Sequence, residues 1–149
     1  MKNEVIAKGF KDHLIDSADF KIIKIHDYHF KIKSDCCEID LLFERYEDGY
    51  GIEINEPGSK KEPLNLLLLR FLRGAVESVD VDTNNPGRYA ILLNEYFSDL
   101  LKGDFSIRKQ YKSVYDEFYD KYFEAQSIDR NEPIWEKIAK FDISWMNEM

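Results

Sequence analysis

The sequence predicts an α+β fold, and two patterns in the chain support this prediction. Apolar and polar residues alternate between about residues 20 and 55, as they do in strands that bury one face. Elsewhere apolar residues recur every three or four positions, which is typical of amphipathic helices. We therefore expect a four-stranded antiparallel meander at about residues 20–55, preceded by one helix and followed by three to four helices packed mainly on one sheet face. With 149 residues and 44% hydrophobic content, the chain suits a single domain spanning residues 1–149.

The first predicted element is a short N-terminal helix. Ile6, Phe10 and Leu14 follow one another at four-residue intervals, which places them on one face of a helix. The polar run from Asp16 to Asp19 is expected to end this helix before the sheet begins.

The meander is predicted from alternating segments separated by turn residues. The segments are Phe20–Ile25, Tyr28–Lys33, Cys37–Glu44 and Tyr50–Ile54. The expected turns are His26-Asp27, Ser34-Asp35 and Asp48-Gly49, the last of which is a strong signal for a type I′ hairpin. The pattern indicates one apolar sheet face and one mostly charged face.

These turns also predict the register of the strands. With Ser34-Asp35 as the loop, Lys31 opposes Glu38 and His29 opposes Asp40, so basic residues meet acidic ones. With Asp48-Gly49 as the next loop, Glu44 opposes Glu53 on the solvent side.

The second half of the chain is predicted to be helical. Pro63 starts a Leu-rich helix through Leu72, which is apolar almost all round and is expected to pack against the sheet. An amphipathic helix then includes residues 92–101 and ends near Gly103. A longer helix begins near residue 104 or 106 and continues to about residue 123. A last short helix follows Pro133, and Trp145 lies in the tail.

Composition excludes several classes of function. The net charge of −8 disfavours nonspecific binding to nucleic acid and to anionic membranes, which both attract basic proteins. The N-terminus resembles no signal peptide, and the apolar run Leu64–Leu69 is far too short to cross a membrane. Adjacent Cys36 and Cys37 are poorly placed to bridge each other, so reduced thiols and a cytoplasmic location are expected.

No residue pattern in the chain points firmly to catalysis or to a cofactor. His26, His29, Cys36 and Cys37 could suggest a metal, but strand alternation turns them to opposite sheet faces, so no metal site is expected. Familiar catalytic and phosphate-binding motifs are absent from the sequence. The chain is therefore predicted not to be an enzyme. The alternative is an enzyme of unknown reaction using outward-facing carboxylates or Cys36.

Acidic side chains are expected to cluster on the outer face of the sheet. These are Glu38, Asp40, Glu44 and Glu53, of which the last two are predicted to face each other across the hairpin. One interpretation is a plain solvated face, and another is a patch that receives a basic partner. Paired glycosidase-type carboxylates are a third interpretation, disfavoured because a flat sheet face offers no cleft.

The long helix carries an aromatic series that is too wide for one narrow stripe. Core packing explains most of it, but Tyr119 is flanked by Asp116, Glu117, Asp120 and Glu124. Tyrosines set among acidic residues are common at protein interfaces. The residues predicted to bind a partner from this helix are Tyr115, Tyr119 and Tyr122.

The meander from Phe20 to Glu56, followed by a Leu-rich helix, resembles small uncharacterised bacterial α+β proteins. Among these are immunity proteins encoded beside polymorphic toxins. The resemblance covers about a quarter of the chain, and it assigns no residue a role. It implies an acidic intracellular inhibitor that masks a basic toxin surface. The expected function is therefore protein binding, with an enzyme or a self-associating structural protein as alternatives.

Overall fold

The structure is a computed structural model that describes residues 2–45, 49–74 and 87–128, with side chains as far as residue 121. The helices are α1 (Lys2–Asp12), α2 (Leu66–Leu72), α3 (Gly87–Tyr96), α4 (Ser98–Leu101) and α5 (Arg108–Ile128), and a 3-10 turn spans Ser17–Asp19. The strands are β1 (Lys21–His26), β2 (His29–Lys33), β3 (Glu38–Phe43), β4 (Tyr50–Asn55) and β5 (Leu64–Asn65). In these ranges no helix combines the length and the apolarity needed to cross a bilayer.

The strands form one antiparallel sheet in the order β1-β2-β3-β4-β5, which confirms the α+β class and the meander. The short fifth strand was not predicted. Leu64 and Asn65 were assigned to the start of the Leu-rich helix, but Leu64 pairs with Ile54 instead. Leu64 is fully buried in this extended position, so pairing with β4 adds it to the apolar face before the helix begins.

Contacts along the chain separate two compact units. Unit 1 comprises residues 1–66 and 81–105, and it contains the sheet together with α1, α3 and α4. Unit 2 comprises residues 67–80 and 106–149, and its described part contains most of α2 and all of α5. The expectation of a single domain stays a prediction.

The apolar face of the sheet, called here the inner face, forms the core of unit 1. Buried inner-face residues include Phe30, Ile32, Cys37, Ile39, Leu41, Ile52 and Ile54. Helix α1 packs against β1 and β2, and it buries Ile6, Ala7 and Phe10. These helix residues include two of the three that the four-residue spacing predicted. From α3, the Tyr89 ring lies 5.8 Å from that of Tyr50 on β4.

The β2–β3 hairpin turns one residue later than predicted. Ser34 and Cys37 are joined by a hydrogen bond of 2.9 Å from the Ser34 amide to the Cys37 carbonyl, which leaves Asp35 and Cys36 in the loop. The Ser34 hydroxyl accepts the Cys36 and Cys37 amides, so its side chain stabilises this later turn. Opposed residues shift by two positions, and Lys33 rather than Lys31 faces Glu38. A shift by two preserves the face on which each side chain lies.

The β3–β4 hairpin differs more from its prediction. The Glu44 amide donates to the Gly49 carbonyl at 3.0 Å, so Glu44 is paired with Gly49, which the two-residue turn predicted at Asp48-Gly49 does not allow. Glu53 consequently opposes Asp40, and the predicted opposition of Glu44 and Glu53 is wrong. The Asp-Gly signal was outweighed by the inner-face pairing of Leu41 with Ile52.

The β1–β2 hairpin also turns one residue later than His26-Asp27, because His26 pairs with His29. The register is interrupted between Lys24 and His26, where Ile25 forms a β-bulge. As a result Ile22 opposes Ile32 on the inner face, and Ile23 lies on the opposite, outer face.

The predicted helix over residues 92–101 is divided in two. Phe97, with φ −133°, separates α3 from α4 and is fully buried. Gly103 has φ +96° after α4, as expected for a glycine that ends a helix. The side chain of Asn94 accepts the Ile15 amide at 2.9 Å and donates to the His13 carbonyl at 2.7 Å, which ties α3 to the chain after α1.

Unit 2 is described in its two helices. The ring of Phe71 on α2 lies 4.9 Å from that of Phe118 on α5, and both side chains are buried. Helix α5 continues to Ile128, beyond the predicted end near residue 123. The predicted last helix after Pro133 and the position of Trp145 lie outside the described residues.

Candidate functional site

The outer face of the sheet in unit 1 carries most of the residues that the sequence singled out. It consists of Lys21, Ile23 and His26 from β1, His29, Lys31 and Lys33 from β2, Glu38, Asp40 and Leu42 from β3, Gly51, Glu53 and Asn55 from β4, and Asn65 from β5. Its lysines lie on β1 and β2, and its carboxylates lie on β3 and β4. We refer to this set as the outer sheet face.

Ion pairs join the basic and acidic halves of this face. The ammonium group of Lys31 lies 3.1 Å from one Glu38 oxygen, and that of Lys33 lies 3.4 Å from the other. His29 Nε2 lies 2.7 Å from Asp40 Oδ1. Both predicted partnerships therefore exist, but they run diagonally across the ladder because the register differs by two residues. These contacts neutralise much of the predicted acidic patch within the chain itself.

Glu38 is the most enclosed of the predicted partner-binding carboxylates. Its side chain is 11% exposed, and the Gly58 amide, from the loop after β4, donates to it at 3.2 Å. Although burial by itself raises the pKa of Glu38, the hydrogen bonds from Lys31 and Gly58 outweigh it and hold that pKa below its ordinary value. The carboxylate of Glu38 is therefore largely enclosed by neighbouring groups and offers little surface to a partner.

Asp40 and Glu53 face each other across β3 and β4. Burial, followed by the charge of Asp40, raises the pKa of Glu53, whereas His29 lowers it. Two opposed carboxylates cost stability when both are ionised. Glu44 lies outside this cluster and is exposed at the end of β3. The four predicted acidic residues thus separate into one exposed carboxylate and three that are partly or largely buried.

Strand β1 contains none of the residues that the sequence assigned to partner binding. It forms one edge of the sheet, and in the described part of the chain no strand pairs with its free side. All six of its residues are exposed, including Ile22 (37%), Ile23 (41%) and Ile25 (51%). An edge strand presents unpaired amide and carbonyl groups together with its side chains. The signal available in the sequence was the unusual Ile-Ile-Lys-Ile run, which alternates imperfectly.

The two lysines of β1 differ in their ion pairing. Lys24 lies on the inner side, where its ammonium group contacts Glu4 of α1 at 2.9 Å and Asp27 at 3.0 Å. Lys21 lies on the outer sheet face directly opposite Lys33 and makes no ion pair with any described residue. Two lysines opposed in this way repel each other. The free side of the sheet therefore carries an unbalanced positive charge beside exposed isoleucines.

A separate cleft of about 520 Å³ lies elsewhere in unit 1, beside the β2–β3 turn. Asp16, Asp19, Asp35, Cys36 and Lys102 supply its charged and thiol groups. A nucleophilic cysteine needs a base or a positive environment. The cleft offers three carboxylates and one lysine, and no histidine is among the residues that line it. The charged groups that line the cleft beside Cys36 are therefore mainly negative.

The residues considered as metal ligands are dispersed. Cys37 lies on the inner face, where burial raises the pKa of its thiol to about 12, and Cys36 lies in the cleft. His26 and His29 stack edge to face with ring centres 5.7 Å apart. The described ranges contain no cluster of three or more potential ligands suited to a metal ion.

The predicted tyrosines lie on α5, in unit 2. The Tyr115 ring lies 5.7 Å from Tyr111 and 4.7 Å from Tyr119, so these rings form a continuous row. Tyr111 is buried and Tyr115 is 38% exposed. Tyr122 belongs to α5, but its side chain lies outside the described residues. Contacts between neighbouring rings along α5 and the burial of Tyr111 largely explain this row.

Comparison of the chain with protein-family models, with curated proteins and with solved structures finds no match.

Proposed function

We propose that this chain is a protein-binding protein and that it recognises its partner through strand β1 and the adjoining part of the outer sheet face. The observation that carries the proposal is the exposure of all six residues of β1, three of which are isoleucines. Exposed apolar side chains beside unpaired backbone groups are the usual starting point for association between proteins.

Two features support binding over catalysis. The histidine and carboxylates of the outer sheet face are engaged with one another, since His29 contacts Asp40 and Lys31 contacts Glu38. The cleft beside Cys36 is lined by carboxylates and lacks a histidine. The outer sheet face thus has bases without a serine or cysteine beside them, and the cleft has a cysteine without a histidine, the most common base in covalent catalysis.

If the chain is an immunity-type inhibitor, its partner is a toxin, and the net charge of the chain bears on the charge of that toxin. A net charge of −8 favours a partner of positive net charge, because long-range attraction accelerates encounter. Since Glu38, Asp40 and Glu53 are paired or partly buried, this attraction would come from the whole chain more than from an acidic patch on the sheet. In this form the chain would inhibit a basic toxin by covering its active surface.

A site-specific photo-crosslinking experiment tests the proposal. A photoreactive amino acid would replace Ile23 on β1 in one variant and Ile91 on α3 in another, because both side chains are similarly exposed (41% and 44%). In cells that naturally make the chain, we expect position 23 to trap one defined protein that position 91 does not.

The trapped protein must then bind the unmodified chain in purified form. We expect Ile23→Asp to weaken that binding by about tenfold or more, as loss of a central apolar contact does. Ile91→Asp should leave the affinity unchanged. Equal crosslinking from both positions, or equal binding by both variants, would reject β1 as the recognition surface.

A further inference from the structure

We infer that β1 accepts an extended segment of the partner as an additional antiparallel strand, and that this segment places an acidic residue opposite Lys21 and apolar residues opposite Ile22 and Ile23. The inference rests on the proposed function and specifies the chemistry of the partner. The free backbone groups, the apolar side chains and the charges of this edge support it.

The backbone of β1 is suited to pairing over a short length. Residues 21–24 pair regularly with β2, and the bulge at Ile25 ends this regular stretch. A strand that is regularly paired on one side has its remaining amide and carbonyl groups directed to the other side. The free edge therefore offers an antiparallel partner a regular ladder from Lys21 to Lys24.

The isoleucine side chains beside this ladder would be buried best by apolar side chains of an added strand. Ile22 lies on the inner side and Ile23 on the outer sheet face, and they are 37% and 41% exposed. A strand added at the edge would place one side chain opposite each of them. Apolar residues at both positions would bury surface on both sides of the sheet.

Charge decides which occupant the edge favours. Lys21 faces Lys33 and has no ion pair of its own in the described chain, so a carboxylate placed opposite it would relieve a repulsion. Lys24 is already satisfied by Glu4 and Asp27, so the partner residue opposite it need carry no charge. The edge therefore selects a segment with one acidic residue at a defined position.

A second copy of the chain fits this edge less well. Lysines and bulges on edge strands are devices that oppose pairing between identical edges. β1 carries two lysines and a bulge, and each copy would bring the same charges and a net charge of −8. Lys21 repels a second copy of β1 but can form an ion pair with an acidic segment, so the edge discriminates between the two.

Peptide titration of the ¹⁵N-labelled full chain tests the inference. The probe is a peptide of about ten residues, long enough to span the edge. Its core reads threonine, valine, valine, glutamate, in the order that faces Lys24, Ile23, Ile22 and Lys21. One control replaces the glutamate with lysine, and a second keeps the glutamate but carries N-methyl groups on the amides that would pair. We expect the first peptide to shift the amide signals of β1 and to bind up to about fivefold more tightly than the lysine peptide. The N-methylated peptide should produce no shifts.

Charge reversal in the protein provides the matched variant. In Lys21→Glu the preference should invert, so that the lysine peptide binds more tightly than the glutamate peptide. Lys21 is exposed, so this variant is expected to fold. Equal affinity for both peptides, binding of the N-methylated peptide, or shifts confined to other elements would overturn the inference. The inference would also be overturned if the unmodified chain formed a dimer and the Ile23→Asp variant were monomeric, because a second copy would then occupy the edge.

The two proposals can fail separately. If position 23 traps a partner that binds through β1 but the peptides cause no shifts, protein binding stands and strand addition is rejected. If the glutamate peptide binds β1 as expected but no partner is trapped, the chemistry of the edge stands and the proposed function is rejected.

Discussion

Strands β1 and β3 have related compositions and opposite surroundings. Each has six residues, of which three are apolar on β1 and four are apolar on β3. On β3, Ile39 and Leu41 are fully buried and the charged residues form ion pairs. On β1 every residue is exposed. β3 has a paired strand on each side whereas β1 has only β2, so position in the sheet decides what an apolar side chain does.

The largest expected effect comes from placing the same charge on each strand. Ile39→Asp would bury an unpaired carboxylate and should reduce the free energy of unfolding by about 4 kcal/mol or more. Ile23→Asp, on an exposed position, should change it by no more than about 0.5 kcal/mol. Urea denaturation of both variants measures the difference. Similar losses of stability in the two variants would mean that β1 is part of the core.

Much of the fold could be predicted from the sequence because alternation and helical spacing are local. The order of α1 and the first four strands, and the inner faces of β2, β3 and β4, followed from this pattern. The turns could not be located as well, because Ser34 caps the β2–β3 turn with its own side chain and Ile25 is inserted as a bulge. Both depend on hydrogen bonds and pairing that the residue pattern does not specify.

The candidate site was predicted less completely than the fold. Glu38 and Asp40 were assigned to the correct face, but their availability depended on partners that the true register brings close. The Gly58 amide reaches Glu38 from 20 residues away in sequence, so no local pattern could have indicated its burial. The edge position of β1 was implicit in the meander, whereas the bulge that leaves Ile25 exposed was not.

Charge removal on the two strands should give an intermediate effect. Glu38→Gln on β3 deprives Lys31 and Lys33 of their carboxylate and should cost about 1–2 kcal/mol at neutral pH. Lys21→Gln on β1 removes an unpaired charge and should cost nothing measurable.

The pH dependence of the Glu38 effect has a defined sign. Its pKa is lower in the folded than in the unfolded chain, so its stabilisation is present above the ordinary value of 4.5 and is lost as pH falls through the folded pKa. The difference between Glu38→Gln and the parent should therefore shrink in acid. Thermal melts over this range provide the measurement, and a difference that is constant with pH would contradict the ion-pair assignment.

The smallest effect, of opposite sign, is expected at Glu53. This carboxyl faces Asp40, and burial followed by the Asp40 charge raises its pKa, so its ionised form destabilises the folded chain. Between the ordinary pKa of 4.5 and the raised value the folded state holds the proton more often than the unfolded state, so stability falls as pH rises through this window. Glu53→Gln should therefore stabilise the chain at neutral pH by about 0.5–1 kcal/mol, and the gain should vanish below the ordinary pKa.

Glu44→Gln is the matched control, because Glu44 is exposed and does not oppose Glu53. If Glu44→Gln stabilised the chain as much as Glu53→Gln, the repulsion would lie between these two residues and the β3–β4 register would be the one expected from an Asp48-Gly49 turn. Melting both single variants and the double variant at neutral and acidic pH decides between the two registers, because only opposed carboxylates give gains that fail to add.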